Sequence, residues 1–470
     1  MSADDAASRD LVVVIPGIMG SELVDAQGRP VWSLSAGSLV RAIRTFGRSV
    51  RSLTLPPDIG DAPPGDGVRA VRLMPGLHVI PGVWSPVAGY SRTIDFLRSG
   101  HLGLTAEDDR SADRIPNLVT FPYDWRLSNR YNGRLLAKKA GDALARWQTE
   151  PGMRDAKLVL VCHSMGGLVA RWFLEREGGA ALTRHLITIG TPHRGSVKSL
   201  DKLVNGVEPG VGPFRFKLHE LVRSLPSMYQ LLPTYDCLEA PGGGRRALTG
   251  AGLADLDSKM LADSVEFHAA INGDHQRPYT MHKVVGTRQP TPTTARVTAK
   301  GLETSFEIDG SDQGGDGTVP RLSAEPSEGR GSEVHEVAEQ HGELHGVRST
   351  LDLVDGIVSR EELIWEGTYP EAFGVSMAEL WAPDTAPELV VPDLGDRRLR
   401  VTVLDEQRER VGTPVIVQPD GRAVLDPLLP GGYEARVESP VPGGPPAVTR
   451  PFLVWDPTEF DDLPTGTEPR

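Results

Sequence analysis

The chain has 470 residues, of which 39% are hydrophobic and 24% charged, a balance typical of a protein with a packed core. The formal net charge is −13, and no basic stripe offsets it, so we exclude nucleic-acid binding. Two cysteines, Cys162 and Cys237, are too few for a disulfide scaffold. The polar, acidic start lacks the basic and apolar regions of a signal peptide, and no apolar run approaches the ~20 residues that span a bilayer, so we expect a cytoplasmic protein.

Apolar runs alternate with segments of helical periodicity along the first half of the chain. The run LVVVI begins at Leu11 and stops at Pro16-Gly17, which predicts a buried strand followed by a turn. The runs LVTF, KLVLVCHS and HLITIG also end in turns, and NGRLLAKKAGDALARWQ and MGGLVARWFLERE are predicted helices. This alternation predicts an α/β protein with a mostly parallel sheet, in which ligands bind at the carboxyl ends of the strands.

A basic amphipathic segment, SLVRAIRTFGRSVRSL, follows the first strand. It places arginines at helical spacing at positions 41, 44, 48 and 51. We favour a solvated helix packed on the domain. The alternative is a helix that makes a peripheral contact with a membrane surface.

The second half of the chain changes pattern twice. Residues 196–280 or so predict short helices interrupted by prolines, as in a cap over a site. A strand follows at His282–Gly286, and then a hairpin with its turn near Lys300-Gly301. From about residue 385, short alternating runs between Pro-Gly turns predict a small all-β sandwich, separated from the first domain by a linker around APDTAPELVVPDLGD. We therefore expect an α/β domain over residues 1–384 and a β module over 385–470, which either binds a partner or packs on the first domain.

A predicted strand, a turn and a predicted helix meet at Ser164. The sequence Cys-His-Ser-Met-Gly matches G-x-S-x-G with Cys162 in the first glycine position. A turn of this kind presents a serine hydroxyl above the sheet, so we interpret Ser164 as a nucleophile, with a helix-capping serine as the alternative. The backbone N–H groups of Met165 and of Ile18, in the turn after the first strand, are the candidate donors to an oxyanion.

The acid and the base of such a site follow the nucleophile along the chain. Asp316, in the loop GGDGTVP, is the candidate acid, and a turn-forming aspartate is the alternative. Of the later histidines, 335, 341 and 345, we favour His341 as the base and keep His345 as the alternative. Gly342 stands where a zinc-binding H-E-x-x-H motif requires glutamate, so we expect no metal at this pair and no cofactor.

Six motifs occur in order between residues 11 and 355 or so: VVVIPGIMGSEL, FPYDWRLSN, VCHSMGGLVARWFL, IGTPHRGS, RSLPSMYQLLPTY and GDGTVP. Together they resemble the lecithin:cholesterol acyltransferase family. The resemblance implies an α/β-hydrolase fold with acyl-ester substrates bound under a cap and a mobile lid, the latter at about residues 33–110. The β module lies outside the resemblance.

Carried over by motif, the resemblance implies a Ser-Asp-His triad of Ser164, Asp316 and His341, with Ile18 and Met165 as oxyanion donors. The expected function is that of a serine esterase, lipase-like acyl hydrolase or acyltransferase acting on lipid or small acyl esters. The alternative is a catalytically silent hydrolase fold that serves as a scaffold or binding protein. The motifs do not distinguish between water and an alcohol as the acyl acceptor.

Overall fold

The structure is a computed structural model. It describes residues 9–33, 52–76, 87–99, 102–109, 115–206, 215–249, 253, 256–273, 277–326, 332–359, 372–392, 394–441 and 444–455. The four arginines of the predicted amphipathic helix, at 41, 44, 48 and 51, lie outside these residues, as do parts of the predicted lid and cap.

The strands up to residue 337 are β1 (Leu11–Ile15), β2 (Ser21–Val24), β3 (Pro30–Trp32), β4 (Arg69–Leu73), β5 (Leu118–Thr120), β6 (Leu158–His163), β7 (Thr183–Ile189), β8 (Leu238–Glu239), β9 (Arg245–Arg246), β10 (Thr280–Gly286), β11 (Thr294–Thr298), β12 (Gly301–Ser305), β13 (Glu307–Ile308), β14 (Ser311–Asp312) and β15 (Ser332–Val337). The later strands are β16 (Ser376–Met377), β17 (Leu380–Trp381), β18 (Glu388–Val390), β19 (Arg400–Asp405), β20 (Arg410–Ile416), β21 (Arg422–Val424), β22 (Gly431–Glu438) and β23 (Val448–Val454).

The α-helices are α1 (Ser91–Ser99), α2 (Asn129–Trp147), α3 (Gly166–Arg176), α4 (Val197–Val204), α5 (Arg215–Ser224), α6 (Pro226–Tyr229), α7 (Ser258–Ile271) and α8 (Arg348–Ser359). Local sequence signals set several helix starts. The side chains of Ser128, Ser196 and Asp257 accept hydrogen bonds from backbone N–H groups in the first turns of α2, α4 and α7. Among the described residues, no helix combines the length and the apolar character that a bilayer crossing requires.

A six-stranded sheet forms the centre of the molecule, in the order β15-β10-β7-β6-β1-β5. All five neighbouring pairs run parallel. Alternate residues of β1 face two different apolar cores, with Leu11 and Val13 on one side and Val12 and Val14 on the other. Burial on both faces explains why these strands are continuous apolar runs. The predicted α/β architecture is therefore confirmed.

The region predicted as a cap contains α4 to α7 and the short strands β8 and β9. Strand β8 joins β11, and β11 pairs antiparallel with β12 across the predicted Lys300-Gly301 turn. In the region predicted as a lid, β4 pairs antiparallel with β2, next to the end of β1.

The strands that follow α8 form two further sheets, β16-β18-β21 and β17-β23-β22-β19-β20. They begin at Ser376 rather than near residue 385, and the predicted linker contains β18. The prolines around β18 suggested a linker, but a strand of three residues is too short to produce a clear period-two pattern. These sheets enclose an apolar core of their own, although Leu453 and Trp455 belong to the core of the central sheet.

Candidate active site

Ser164 occupies a strained turn between β6 and α3. Its φ of 52° lies in the left-handed region, which non-glycine residues rarely adopt. A Cβ atom on Gly166 would lie 2.4 Å from the Pro16 carbonyl oxygen, and one on Gly167 would lie 2.2 Å from the Thr191 hydroxyl. The two glycines therefore allow α3 to start against β1 and the turn after β7, with the serine between them.

The hydroxyl of Ser164 lies 2.8 Å from Nε2 of His341, and Nδ1 of His341 lies 2.7 Å from Oδ2 of Asp316. All three residues are buried. Asp316 is an acceptor, so Nδ1 carries the imidazole proton and Nε2 can accept the proton of the serine. The structure thus brings together the three residues that the sequence predicted as nucleophile, acid and base.

Backbone contacts fix the position of Asp316. Its Oδ1 accepts hydrogen bonds from the N–H groups of Thr318 (2.9 Å) and Val319 (2.7 Å), which leaves Oδ2 for His341. Glycine provides the space, because a Cβ atom on Gly286, at the end of β10, would lie 2.3 Å from Cβ of Asp316. The carboxylate is therefore held at the carboxyl end of the sheet, as the order of residues along the chain predicted.

His345, the alternative base, points elsewhere. Its ring stacks on Tyr90 with 4.5 Å between the ring centroids. Its Nδ1 lies 2.9 Å from the hydroxyl of Thr93, and its Nε2 lies 3.2 Å from the carbonyl oxygen of Ala88. His345 thus attaches the loop after β15 to the start of α1.

The loop after β1 lies directly beside the serine. A Cβ atom on Gly17 would be 2.9 Å from Cβ of Ser164, and Ile18, the next residue, is buried. Met165 is fully buried at the start of α3, next to the serine in the chain. The two predicted oxyanion donors therefore both adjoin Ser164.

A chain of hydrogen bonds links this loop to the histidine. The N–H of Gly17 donates to the hydroxyl oxygen of Tyr90 (2.8 Å), and this hydroxyl lies 2.7 Å from Nδ1 of His163. Nε2 of His163 donates to the carbonyl oxygen of His341 (3.1 Å), so its Nδ1 accepts the proton of Tyr90. Burial raises the pKa of Tyr90, which keeps this hydroxyl protonated and able to donate.

The C-terminal strands contact the loop that carries His341. Arg450, on β23, donates from Nη1 to the side-chain oxygen of Gln340 and from Nη2 to the carbonyl oxygen of Met377 (2.9 Å). The N–H of Thr449 donates to the carboxylate of Glu339 (3.0 Å). Burial raises the pKa of Glu339 to about 8.

Gln340 connects the histidine loop to the loop of the acid as well. Its amide donates to the side-chain oxygen of Gln289 (2.6 Å), and the N–H of Gln289 donates to the carbonyl oxygen of Gly315, next to Asp316. Val375, ahead of β16, donates its N–H to the same oxygen of Gln289 (3.0 Å). No local sequence pattern identifies Tyr90, His163, Gln340 and Arg450, since each is a single polar residue whose partner is remote in sequence.

Parts of the chain are similar to known proteins. The family model described as lecithin:cholesterol acyltransferase matches residues 113–243. The rat and human proteins named lysosomal phospholipase A and acyltransferase are each 32% identical over 118 residues, which are 24% of this chain and 27% of theirs. The match thus spans about a quarter of the length of these curated relatives.

One chain of the crystal structure of the Tle4-Tli4 complex is similar to this fold with a TM-score of 0.52 and 15% identity. The likeness covers 74% of this chain and 97% of that one. The central sheet and this likeness define the chain as an α/β-hydrolase fold with additional β strands after it. Within that class, the resemblance to the lecithin:cholesterol acyltransferase family is confirmed over residues 113–243.

Proposed function

We propose that this protein is a serine acyl hydrolase or acyltransferase that acts on lipid esters. The observation that carries the proposal is the buried hydrogen-bonded chain from Ser164 through His341 to Asp316. The similarity to phospholipase and acyltransferase relatives supports a phospholipid-type ester as the substrate. A catalytically silent scaffold has no need of a serine in a strained turn, aligned with a buried imidazole and a carboxylate.

The proposed reaction begins with His341 taking the proton of Ser164 while the serine oxygen attacks the ester carbonyl. The N–H groups of Ile18 and Met165 stabilise the resulting oxyanion. Protonated His341 then gives its proton to the leaving alcohol, and an acyl-serine ester remains. Asp316 holds the imidazole in the required tautomer and stabilises its positive charge.

The second half of the reaction transfers the acyl group. His341 removes a proton from water or from an acceptor alcohol, and the resulting oxygen nucleophile attacks the acyl-serine. Collapse of the second tetrahedral intermediate returns the proton to Ser164 and releases an acid or a new ester. Water yields hydrolysis and a lipid alcohol yields transesterification, so exclusion of water from the site decides between the two activities.

Access to the site is part of the proposal. We propose that residues 196–280 or so cap the acyl-binding site and that residues 33–110 or so act as a lid, with a peripheral membrane contact through the basic segment. We also propose a cytoplasmic location, which is consistent with Cys162 and Cys237 being buried and not joined in a disulfide.

The test is labelling with a fluorophosphonate probe together with mass spectrometry of a lipid extract incubated with the protein. We expect the wild-type chain to be labelled and to convert phospholipids into lysophospholipids, with free fatty acid or, when a lipid alcohol is added, a new ester. Ser164→Ala should lose both labelling and turnover, whereas Ser311→Ala, at an exposed serine on β14, should retain both. Equal labelling of Ser164→Ala and the wild type would contradict the proposed nucleophile.

A further inference from the structure

A second group of polar side chains lies on the central sheet at a distance from Ser164. It consists of His282 on β10 and of Glu333 and His335 on β15. His282 is directly opposite Glu333 in the parallel register, and Val284 is opposite His335. Residues opposite one another in parallel strands project from the same face, as do residues two apart, so the three side chains share one face of the sheet.

The position of this cluster separates it from the triad. His282 precedes Gly286 by four residues, which corresponds to about 13 Å along a strand. Gly286 is the residue against which Asp316 packs. The cluster is therefore nearer the amino ends of the strands, whereas the proposed chemistry takes place at the carboxyl ends.

The separations between the side-chain atoms fit a bound metal ion. Nδ1 of His282 lies 2.9 Å from Oε2 of Glu333, and Nε2 of His335 lies 3.7 Å from the same oxygen. One ligand atom from each residue falls within 4.8 Å of the other two. Two ligands bound to zinc at ~2.0–2.1 Å with tetrahedral angles are about 3.3–3.4 Å apart. The two observed separations, 2.9 and 3.7 Å, lie on either side of this ligand–ligand distance. Small rotations of the side chains would therefore complete a site.

The surroundings suit a cation as well. The side chains of His282 and His335 are 6% and 7% exposed, whereas that of Glu333 is 58% exposed and provides a path from solvent. The carboxylate of Glu333 supplies negative charge beside the two imidazoles.

A neighbouring imidazole completes the arrangement. Nδ1 of His185, on β7, lies 3.1 Å from Nε2 of His282. With Nδ1 of His282 on a metal, the N–H at Nε2 can donate to His185. Metal-bound histidines usually donate their second N–H to a carboxylate, a backbone carbonyl or water. Here the acceptor would be an imidazole nitrogen, and the bond would likewise fix the tautomer and the orientation of the ring.

We propose that His282, Glu333 and His335 form a binding site for a zinc-type divalent cation, with His185 orienting His282. Two imidazoles and one carboxylate suit zinc and disfavour the hard cations calcium and magnesium. The site joins the edge strand β15 to β10. Strand β15 leads directly into the loop of Gln340 and His341, so the cation would stabilise the strand from which the proposed base emerges. No metal was expected from the sequence, in which the pair His341 and His345 was the one weighed. The pattern His…Glu-x-His of the present cluster spans two strands and matches no compact motif.

The test is equilibrium dialysis of the EDTA-treated full chain against Zn²⁺. His341 and Asp316 are a second imidazole–carboxylate pair, so every protein carries His341→Ala to exclude binding there. We expect one Zn²⁺ per chain and a dissociation constant raised about tenfold or more by Glu333→Gln or His335→Gln. The exposed Glu333 side chain makes Glu333→Gln a variant that should fold. The matched control is His219→Gln, which changes a half-buried histidine on α5, and it should bind like the parent.

A second measurement uses thermal unfolding, because a ligand that binds the native state raises Tm by mass action. Zn²⁺ should raise the Tm of the parent and of His219→Gln more than that of Glu333→Gln. Equal zinc affinity in all these proteins, no binding by the parent, or equal binding of Ca²⁺ would overturn the proposal. None of these readouts depends on acyl transfer, so they remain decisive if the proposed serine chemistry fails.

Discussion

The central sheet and the C-terminal strands bury their residues in different ways. Strands β1 and β6 are buried along their whole length, and the residues of the proposed triad lie where the parallel strands end. Strand β22 instead alternates between buried and more accessible positions, and Val424, Leu429 and Val441 nearby are more than half exposed. In the central sheet, the loops that follow several parallel strands therefore converge at one edge. The alternating pattern of the C-terminal strands creates no such edge.

The two regions nevertheless meet at the loop of His341. The side chain of Arg450 and the backbone N–H of Thr449 bind Gln340 and Glu339, the two residues that precede the proposed base. Lys198, on α4, also forms an ion pair with Glu379 (2.8 Å) between β16 and β17. The two regions that the sequence divides into a first domain and a β module therefore both contribute contacts at the candidate site.

The largest expected effect comes from a change confined to the central sheet. In Asp316→Asn the amide nitrogen would face Nδ1 of His341 and favour the tautomer with its proton on Nε2, which cannot accept the serine proton. We expect kcat to fall by about 10⁴-fold, as measured in steady-state ester hydrolysis. Asp312→Asn, at an exposed aspartate on β14, should stay near wild type. Retention of a tenth of the wild-type kcat by a folded Asp316→Asn protein would argue against the proposed acid.

A smaller loss of kcat is expected from Tyr90→Phe, which also changes only the region of the central sheet. The change removes the hydroxyl that accepts from Gly17 and donates to His163, and it leaves two buried polar groups without this partner. Each such loss costs about 1–3 kcal/mol, so we expect a decrease of about tenfold or more in kcat, with a smaller change in KM. Tyr131→Phe, on α2, is the matched control. An unchanged kcat in Tyr90→Phe would mean that the hydrogen bonds of Tyr90 do not position the loop that carries Ile18.

The contact between the two regions is tested by Arg450→Met. Methionine keeps much of the apolar volume but cannot donate to Gln340 or to the carbonyl oxygen of Met377. We expect about a tenfold lower kcat for a small soluble ester, because the loop of His341 loses its support. Arg422→Met, at an exposed arginine on β21, should have no effect. If the C-terminal strands serve solely to bind a partner, both variants will turn over small esters like the wild type.

The smallest expected effect concerns pH. Since the pKa of Glu339 is raised to about 8 in the folded chain, the fold favours the protonated carboxyl. Stability from this group is therefore complete below the unfolded pKa near 4.5 and is lost as the pH rises to about 8. We expect Tm to fall across this range, and to fall less in Glu339→Gln, which keeps an acceptor for Thr449.

The slope in Glu339→Gln should not vanish, because burial also raises the pKa of Glu343. Glu307→Gln, at an exposed position on β13, should retain the full wild-type slope. An identical dependence of Tm on pH in Glu339→Gln and the wild type would show that Glu339 titrates normally.

Much of the fold could be predicted because its signals are local. The apolar runs of β1, β6 and β7 and the glycines after Ser164 identify a parallel sheet with a sharp turn. The loop around Asp316 is recognisable from its own residues. The sequence favoured His341 over His345 but could not settle the choice, because both lie in one short loop and differ in contacts to residues far away in sequence. His345 contacts Tyr90 and Thr93, and no local sequence pattern predicts these contacts.

Other features of the structure could not be predicted because the local sequence carries too little information about them. Gln340 and Arg450 bond to one another across 110 positions of sequence, and either side chain read by itself is an ordinary polar residue. Strands β16 and β17 lie before residue 385 and were not predicted, because they have two residues each, too few for any periodicity.

The bond between Arg450 and Gln340 also has a consequence for biosynthesis. A ribosome delivers Ser164, Asp316 and His341 well before it delivers β23, so the nascent polypeptide carries its reactive groups while their support is still missing. If that support matters as we expect, ester cleavage remains weak until β23 has emerged and docked. A newly made chain would then not cleave the lipids around it before its folding is complete.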